Sequence, residues 1–314
     1  MTPLPNRLFG VFVAAGCIVA FFVVRTLVRR DDRLVGERTL LPGLAFVMLA
    51  AALAAARVGV ILLEPDFLMR PWLLVWPFDE QMRFVGLRGM NFHTGLLAGL
   101  VAGYVYLRVH AGEVRRWINA VSLGLVFAYV VTSAGSFLTA DALGRITTAP
   151  WAPVIEGAPG VPVTFPPAER IAAALGLPAT DPGVLVNLPR HPYQLYKAVV
   201  LLALLVIPAR HVARGIGPGK PGGRVSAYVL VGLGITRALA GFLAVPARGG
   251  ILLVEEAFAS AAPHWLPANA AVLSLDQLLS VAIALAGLVL FLVHRHADLR
   301  RPRVEFLDPG LGLD

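Results

Sequence analysis

A polar stretch from Thr132 to Arg145, TSAGSFLTADALGR, follows a long apolar run without an intervening charge. It contains hydroxyl side chains, one carboxylate and one guanidinium, separated by glycines. These polar residues include Ser133, Ser136, Thr139, Asp141 and Arg145, and the glycines are Gly135 and Gly144. Polar groups and irregular backbone occur at membrane depth only where protein shields them or water reaches them. The stretch therefore predicts a polar site where an apolar helix ends at a membrane boundary.

His93 lies in another apolar segment, GMNFHTGLLAGL, and is a candidate general base. An imidazole, with a pKa of about 6.5, can accept a proton from a thiol, whose pKa is about 8.5. An isolated histidine in a membrane segment is also often an interior residue with satisfied hydrogen bonds. The residue type alone leaves both roles open.

Arg237 lies in the apolar segment LGITRALAGF, where its charge is costly because a guanidinium cannot lose its proton. No carboxylate partner is evident in that segment. A phospholipid phosphate would satisfy the guanidinium through paired hydrogen bonds. The alternative is a structural pairing with Asp141 or with backbone carbonyls.

Composition identifies the class of protein to which these segments belong. The chain has 314 residues, of which 57% are hydrophobic and only 15% are charged. A soluble protein carries about 25% charged residues. The apolar residues occur in blocks of about twenty, the length that crosses a bilayer as a helix. We therefore predict an all-α polytopic membrane protein.

Seven transmembrane helices are the simplest count, and the chain is expected to form one transmembrane domain over residues 1–314. The spans lie near 8–24, 41–63, 92–107, 117–138, 193–209, 225–246 and 272–293. Arg237 is then near the middle of the sixth span. Sixteen of the 27 Lys and Arg residues follow spans 1, 3, 5 and 7, as expected for cytoplasmic loops. The N-terminus is then periplasmic and the C-terminus cytoplasmic.

Two outer segments are expected to lie beyond the helices. Residues 139–192 are rich in Pro and Gly and predict a periplasmic lobe. Residues 64–91 carry Trp72 and Trp76, which favour an arm at the membrane interface over an aromatic binding site.

The net charge of +8 is attributed to the basic cytoplasmic loops and to attraction between these loops and anionic lipid headgroups, not to nucleic-acid binding. No metal-ligand spacing is present, and the single Cys17 excludes an intramolecular disulfide.

The polar stretch resembles the signature of the prolipoprotein diacylglyceryl transferases, roughly G-R-x-G-N-F-x-N-x-E-x-x-G-R. The positions that match are Gly135, Phe137, Gly144 and Arg145. The positions that differ are Asp141, which stands where the family has Glu, and Ser133, Ser136 and Thr139, which stand where it has Arg, Asn and Asn.

Further motifs of the same family follow in the same order. FHTGLL around His93 resembles F-H-G-G-L-L, and RHPYQLYK (residues 190–197) resembles R-H-P-x-Q-L-Y-E, with Lys197 in place of the Glu. Arg237 resembles the Arg of Y-G-x-x-R-F-x-x-E-F, with Gly241 in place of the Glu. Arg57 lies in a segment similar to A-R-L-G-Y, and SLDQLLS (residues 274–280) is similar to S-x-G-Q-x-L-S. The chain is identified as a diverged member of this family.

The resemblance implies transfer of a diacylglyceryl group from phosphatidylglycerol to the lipobox cysteine thiol of prolipoproteins in the bacterial inner membrane. The expected catalytic residues are His93 as the base, Arg237 as a phosphate clamp, and Asp141 positioning Arg237 or Arg145. The expected substrate-binding residues are Arg145, Gly144, Ser136, Ser133, Gln194, Tyr196, Arg190, His191 and Arg57. The partners are phosphatidylglycerol, the prolipoprotein signal peptide with its lipobox, and membrane lipids, and no cofactor or metal is implied.

Two alternatives follow from the positions that differ. Ser133, Ser136, Thr139 and Gly241 remove charged or amide groups, which favours a catalytically silent relative that binds phospholipid or lipoprotein. The reversed charge at Lys197 favours a transferase with a different donor or acceptor.

Overall fold

The structure is a computed structural model that describes residues 1–5, 8–63, 92–158, 161–162, 172–174, 176, 185–213, 224–244 and 275–299. Seven long helices make up most of this part of the chain. They are α1 (Phe9–Arg30), α2 (Leu40–Leu63), α3 (Phe92–His110), α4 (Val114–Leu138), α5 (Tyr193–Ala213), α6 (Arg224–Gly241) and α7 (Leu275–Leu299). A 3-10 helix (Asp32–Glu37) connects α1 to α2, and two short strands, β1 (Val161–Pro162) and β2 (Leu185–Val186), pair antiparallel.

Five of the seven helices are long and apolar enough to cross a membrane, namely α1, α2, α3, α4 and α7. The apolar parts of α5 and α6 are shorter in the described residues, at Tyr193–Leu205 and Val225–Gly241. The prediction of an all-α, multi-pass membrane protein is thus confirmed. The predicted arm at 64–91 lies outside the described residues, as does much of the predicted lobe at 139–192.

The helix α6 ends at Gly241, earlier than the predicted span, which extends to residue 246. Phe242 and Leu243 form a turn, and Ala244 pairs with Gly144. The prediction that Arg237 lies mid-span is therefore corrected, because it is one turn from the end of its helix. A guanidinium near a helix end is less costly than one at the bilayer centre, since it is closer to the polar interface.

The helix α4 has a central position, because it packs against α1, α5 and α6. The other close pairs are α2 with α3, α5 with α6, and α6 with α7. Small residues permit the closest contacts, as is usual for helices in membranes. At Gly234 on α6, an added Cβ would collide with the backbone of Ser280 and Ala284 on α7.

Charged side chains fix one end of the bundle. Trp117 is fully buried and donates from Nε1 to a carboxylate oxygen of Glu37 at 2.7 Å. The preceding residue, Arg116, forms an ion pair with Asp31 at 2.7 Å. These contacts connect the ends of α1 and α4 through the 3-10 helix. They lie at the opposite end of α4 from the polar stretch that begins at Thr132.

Candidate functional site

His93, Asp276 and Arg237 meet at the polar-stretch end of the bundle, each on a different helix. Nδ1 of His93 lies 3.0 Å from Oδ1 of Asp276. The other carboxylate oxygen, Oδ2, accepts a hydrogen bond from Nη2 of Arg237 at 3.2 Å. His93 is in the first turn of α3, Asp276 is the second residue of α7, and Arg237 is one turn before the end of α6. One carboxylate therefore links a basic imidazole to a guanidinium.

Aromatic side chains hold the guanidinium of Arg237 in place. Its central carbon lies 4.0 Å from the centre of the Phe92 ring, in a cation–π contact. Nη1 donates to the hydroxyl of Tyr129 at 2.8 Å. Nε of Arg237 is buried, and it has no hydrogen-bond partner in the part of the chain that the structure describes. A ligand oxygen could accept from that donor, which is the expected arrangement for binding an anionic group.

The contacts of His93 determine its hydrogen-bonding roles. The carboxylate of Asp276 lies 3.0 Å from Nδ1 without a well-aligned hydrogen bond to it among the described residues. Its negative charge favours a proton on that nitrogen, which leaves Nε2 as the basic atom. Nε2 lies 3.3 Å from Oγ of Ser280, whose own proton is donated to the carbonyl of Asp276 at 2.6 Å. Once protonated, Nε2 can donate to that oxygen while Asp276 stabilises the imidazolium. The imidazole is therefore placed to accept a proton.

Asp276 is a functional candidate that the sequence analysis missed. That analysis found no carboxylate in the segment of Arg237 and named Asp141 as the alternative partner. An acidic residue at the start of an apolar helix is common, because it offsets the helix dipole, and so Asp276 carries no distinctive signal. Among the described residues, Asp141 has no hydrogen bond or ion pair with Arg145 or Arg237, and its backbone N–H donates to Ser136.

A second group of predicted residues joins the polar stretch to the ends of α5 and α6. Nε of Arg145 donates to the carbonyl of Ala244 at 3.2 Å. Nη1 of Arg190 donates to the carbonyl of Gly144 at 3.2 Å. Gln194, which is buried, donates to the carbonyl of Ala142. These contacts thus anchor the backbone segment that follows α4 to the start of α5 and the end of α6, beside the site.

His191 and Tyr196 lie beside this junction. The rings are 6.1 Å apart in an edge-to-face arrangement, and Trp151 donates from Nε1 to the hydroxyl of Tyr196 at 2.6 Å. Burial lowers the pKa of His191, because the charged form loses hydration. His191 is therefore suited to a neutral role.

The remaining predicted residues occupy α4 and α2. Ser133 and Thr139 are buried, and the hydroxyl of Thr139 donates to the carbonyl of Gly135 at 2.9 Å. Ser136 is partly exposed on the last turn of α4. Arg57 is partly buried in α2, the helix that packs on α3. In the described residues, no group of three His, Cys, Asp or Glu side chains could hold a metal ion.

An apolar groove of about 450 Å³ runs between α5 and α6. The side chains that line it are mostly aliphatic, and they include Val200, Leu204, Val231, Ile235 and Leu239. Tyr196 and Lys197 lie at the end of the groove nearest the site. The groove is therefore apolar along its length and carries polar side chains at the end nearest the site.

Comparison with known proteins identifies the family. The family profile described as prolipoprotein diacylglyceryl transferase matches residues 1–293. The chain belongs to this family. A relative from Treponema pallidum, named phosphatidylglycerol–prolipoprotein diacylglyceryl transferase, is 28% identical over 322 residues, covering 95% of this chain and 94% of the relative. A relative of the same name from Helicobacter pylori strain P12 is 32% identical over 143 residues, covering 44% of this chain and half of the relative.

The family assignment confirms the resemblance that the motifs indicated. The protein is a transferase-like enzyme of lipoprotein biogenesis, and its apolar helices make it a multi-pass membrane protein. His93 and Arg237 come from two of the motifs that led to this family, and the structure brings them to one carboxylate.

Proposed function

We propose that this protein transfers a diacylglyceryl group from phosphatidylglycerol to the lipobox cysteine thiol of prolipoproteins in the bacterial inner membrane. The observation that carries the proposal is the linked arrangement of His93, Asp276 and Arg237 in a chain of this family. This cluster contains a proton acceptor, His93, and a cation, Arg237, whose Nε–H has no hydrogen-bond partner among the described residues. Both are required when a thiol displaces a phosphate ester.

The reaction forms one bond and breaks one bond. The thiol sulfur bonds to the glyceryl carbon that carries the phosphate, while the bond from that carbon to the phosphate oxygen breaks. Glycerol phosphate leaves with the electron pair, and the thiol proton passes to Nε2 of His93. The carboxylate of Asp276 stabilises the imidazolium, and the guanidinium of Arg237 stabilises the charge on the departing phosphate.

The other predicted residues have supporting roles in this proposal. Arg145, Arg190 and Gln194 fix the backbone at the mouth of the site, where Gly144 allows close packing. His191, Tyr196, Ser133, Ser136 and Arg57 are proposed to shape the space for the lipid or the peptide. Asp141 is proposed to act on Arg145 or Arg237 only when substrate is bound.

The same proposal includes seven membrane crossings with a periplasmic N-terminus and a cytoplasmic C-terminus. The site then opens toward the periplasm, where lipobox cysteines of exported proteins are located. Labelling of single cysteines tests this orientation in a Cys17→Ser background. A cysteine at Trp151 should react with an impermeant maleimide in intact cells, whereas a cysteine at Arg33 should react only after lysis. The reverse pattern would contradict the orientation.

Complementation tests the function in cells. The gene is expressed in a bacterium whose own prolipoprotein diacylglyceryl transferase can be switched off. We expect lipidated, mature lipoproteins to persist with this chain and to disappear with its His93→Ala variant. Accumulation of unmodified prolipoprotein with both chains, despite equal membrane levels, would contradict the proposal.

A second candidate is a relative that binds phospholipid without transferring it, and Ser133 favours this candidate. Ser133 stands where the family's signature has Arg, and it is buried in α4. A hydroxyl cannot provide the charge of a guanidinium. Under this candidate, the cells of the complementation experiment would lose mature lipoproteins while the purified protein still bound phosphatidylglycerol.

A further inference from the structure

Lys197 lies in the first turns of α5, with its ammonium between two aromatic rings. Nζ is 4.7 Å from the centre of the Tyr193 ring and 5.6 Å from the centre of the Tyr129 ring. In the described part of the chain, no carboxylate forms an ion pair with Lys197. The charge of Arg237, by contrast, is matched by Asp276. Among the described residues, Lys197 is therefore a cation of the site that no carboxylate pairs with directly.

The position of this unmatched charge is informative because Lys197 also lines the apolar groove between α5 and α6. A partly buried ammonium is costly unless an anion accompanies it. The chain has only two lysines among its 27 basic residues, so an ammonium here departs from its general use of arginine. The groove thus has Lys197 at one end and aliphatic side chains along its length.

The dimensions of the groove fit an acyl chain. Its lining on α6 extends from Tyr228 to Ala240, which is about 18 Å at the helical rise of 1.5 Å per residue. One leaflet of a bilayer has a hydrocarbon thickness of about 15 Å. A chain that followed the groove would therefore cross one leaflet, and its headgroup would reach Lys197.

We propose that the groove between α5 and α6 binds one anionic phospholipid, with an acyl chain along the groove and the phosphate on the ammonium of Lys197. The bound anion balances the charge of Lys197. Tyr129 contacts both cations, since its ring lies beside Lys197 and its hydroxyl accepts from Arg237. A phosphate on Lys197 is therefore next to the cluster that contains the open Nε of Arg237.

This inference rests on the proposed function in taking phosphatidylglycerol as the lipid, and it adds the residue that selects an anionic headgroup. At position 197 the family's motif has Glu, and at position 133 this chain lacks the motif's Arg. In this proposal, Lys197 on α5 is a phosphate-binding cation in addition to Arg237 on α6.

Native mass spectrometry of the full chain in detergent tests the proposal. Delipidated protein is titrated with phosphatidylglycerol and with phosphatidylcholine that has the same acyl chains. We expect phosphatidylglycerol to bind more tightly, and Lys197→Gln to weaken its binding about tenfold, since one charge-assisted hydrogen bond is lost. Lys197→Arg should retain the preference. If Lys197→Gln does not fold, Lys197→Met replaces it, because it keeps the length of the side chain.

Two neighbouring residues test the acyl part of the site. Val200 lines the groove, whereas the adjacent Val199 is 64% exposed and lies outside it. Val200→Trp should weaken the binding of both lipids, and Val199→Trp should leave it unchanged. An unaltered preference in Lys197→Gln, or equal effects of the two tryptophans, would overturn the proposal.

The binding measurement needs no turnover, so the two proposals can fail separately. Loss of the lipid preference in Lys197→Gln together with no transfer by the parent chain would contradict the proposed function and support the lipid site. Transfer by the parent chain together with an unaltered lipid preference in Lys197→Gln would overturn only the assignment of Lys197.

Discussion

The carboxylate of Asp276 lies 3.0 Å from Nδ1 of His93, and its second oxygen is 3.2 Å from Nη2 of Arg237. This relationship joins α3, α6 and α7 at the end of the bundle where the polar stretch lies. It gives the imidazole an orienting partner and gives the guanidinium a counter-charge. The proposed base and the proposed anion-binding group thereby share one carboxylate.

Removing the imidazole should nearly abolish transfer. We expect His93→Ala to lower the rate of adduct formation by about 10²- to 10⁴-fold, the usual contribution of a general base. The matched control is His110→Ala at the exposed end of α3, which should retain the parental rate. A parental rate in His93→Ala would remove His93 from the mechanism.

The role of Asp276 can be separated from that of His93 by a double-mutant cycle. Asp276→Asn should lower the transfer rate strongly in the parent, because it removes the charge that stabilises the imidazolium. The same change should cost clearly less in a His93→Ala background, since residues that act together are not additive. Fully additive losses would show that Asp276 does not act through His93.

The shape of the guanidinium at Arg237 should matter as well as its charge. Arg237→Lys keeps the charge but cannot contact Tyr129 and Asp276 at once, so we expect at least a tenfold loss of transfer rate. Tyr129→Phe removes the acceptor for Nη1 but keeps the guanidinium, so it should cost less. Arg108→Lys, on the exposed last turn of α3, serves as the control. Equal rates for Arg237→Lys and this control would contradict the assignment.

The polar stretch should depend on Gly144 for its packing. A Cβ at this position would collide with the carbonyl of His191, where the backbone of the two segments comes together. We expect Gly144→Ala to destabilise the protein by about 1–3 kcal/mol, as overpacking does. Gly10→Ala is the control, because no atom lies within 4 Å of the added Cβ. Thermal unfolding in detergent measures both, and equal melting temperatures would contradict the close contact.

His191 should make stability fall at low pH. Burial lowers its pKa in the folded state, so the unfolded chain binds a proton more readily. Its contribution is fully present above the unfolded pKa of about 6.5 and is lost as the pH falls through the folded value. The melting temperature of His191→Gln should therefore fall less than that of the parent between pH 7.5 and pH 5. An identical fall in both would contradict the prediction.

The sequence predicted the helices well because apolar blocks of about twenty residues have few alternative structures in a membrane. It also proposed His93 and Arg237 as site candidates, since ionisable residues in such blocks stand out. It could not identify Asp276 as their partner, because 39 residues separate it from Arg237 and helix packing alone brings them together. The predicted sixth span also extended beyond the observed end of α6 for a related reason. The helix ends where Ala244 pairs with Gly144, and that pairing depends on a distant segment of the chain.

Lys197 shows the limit of motif comparison in another way. The motif indicated only that its charge is opposite to the family's Glu. Its position between the rings of Tyr193 and Tyr129, at the head of a groove, follows from the packing of α5 against α4 and α6. Such a position depends on three helices and is not visible in any one of them.

The most direct test of the proposed transfer is mass spectrometry of a lipobox peptide after incubation with the purified protein and phosphatidylglycerol. We predict a diacylglyceryl adduct on the peptide's cysteine, matched by an equal amount of released glycerol phosphate, and absent with His93→Ala. A family member with every signature residue serves as the positive control. If that control forms the adduct and this protein does not, the transferase proposal is contradicted.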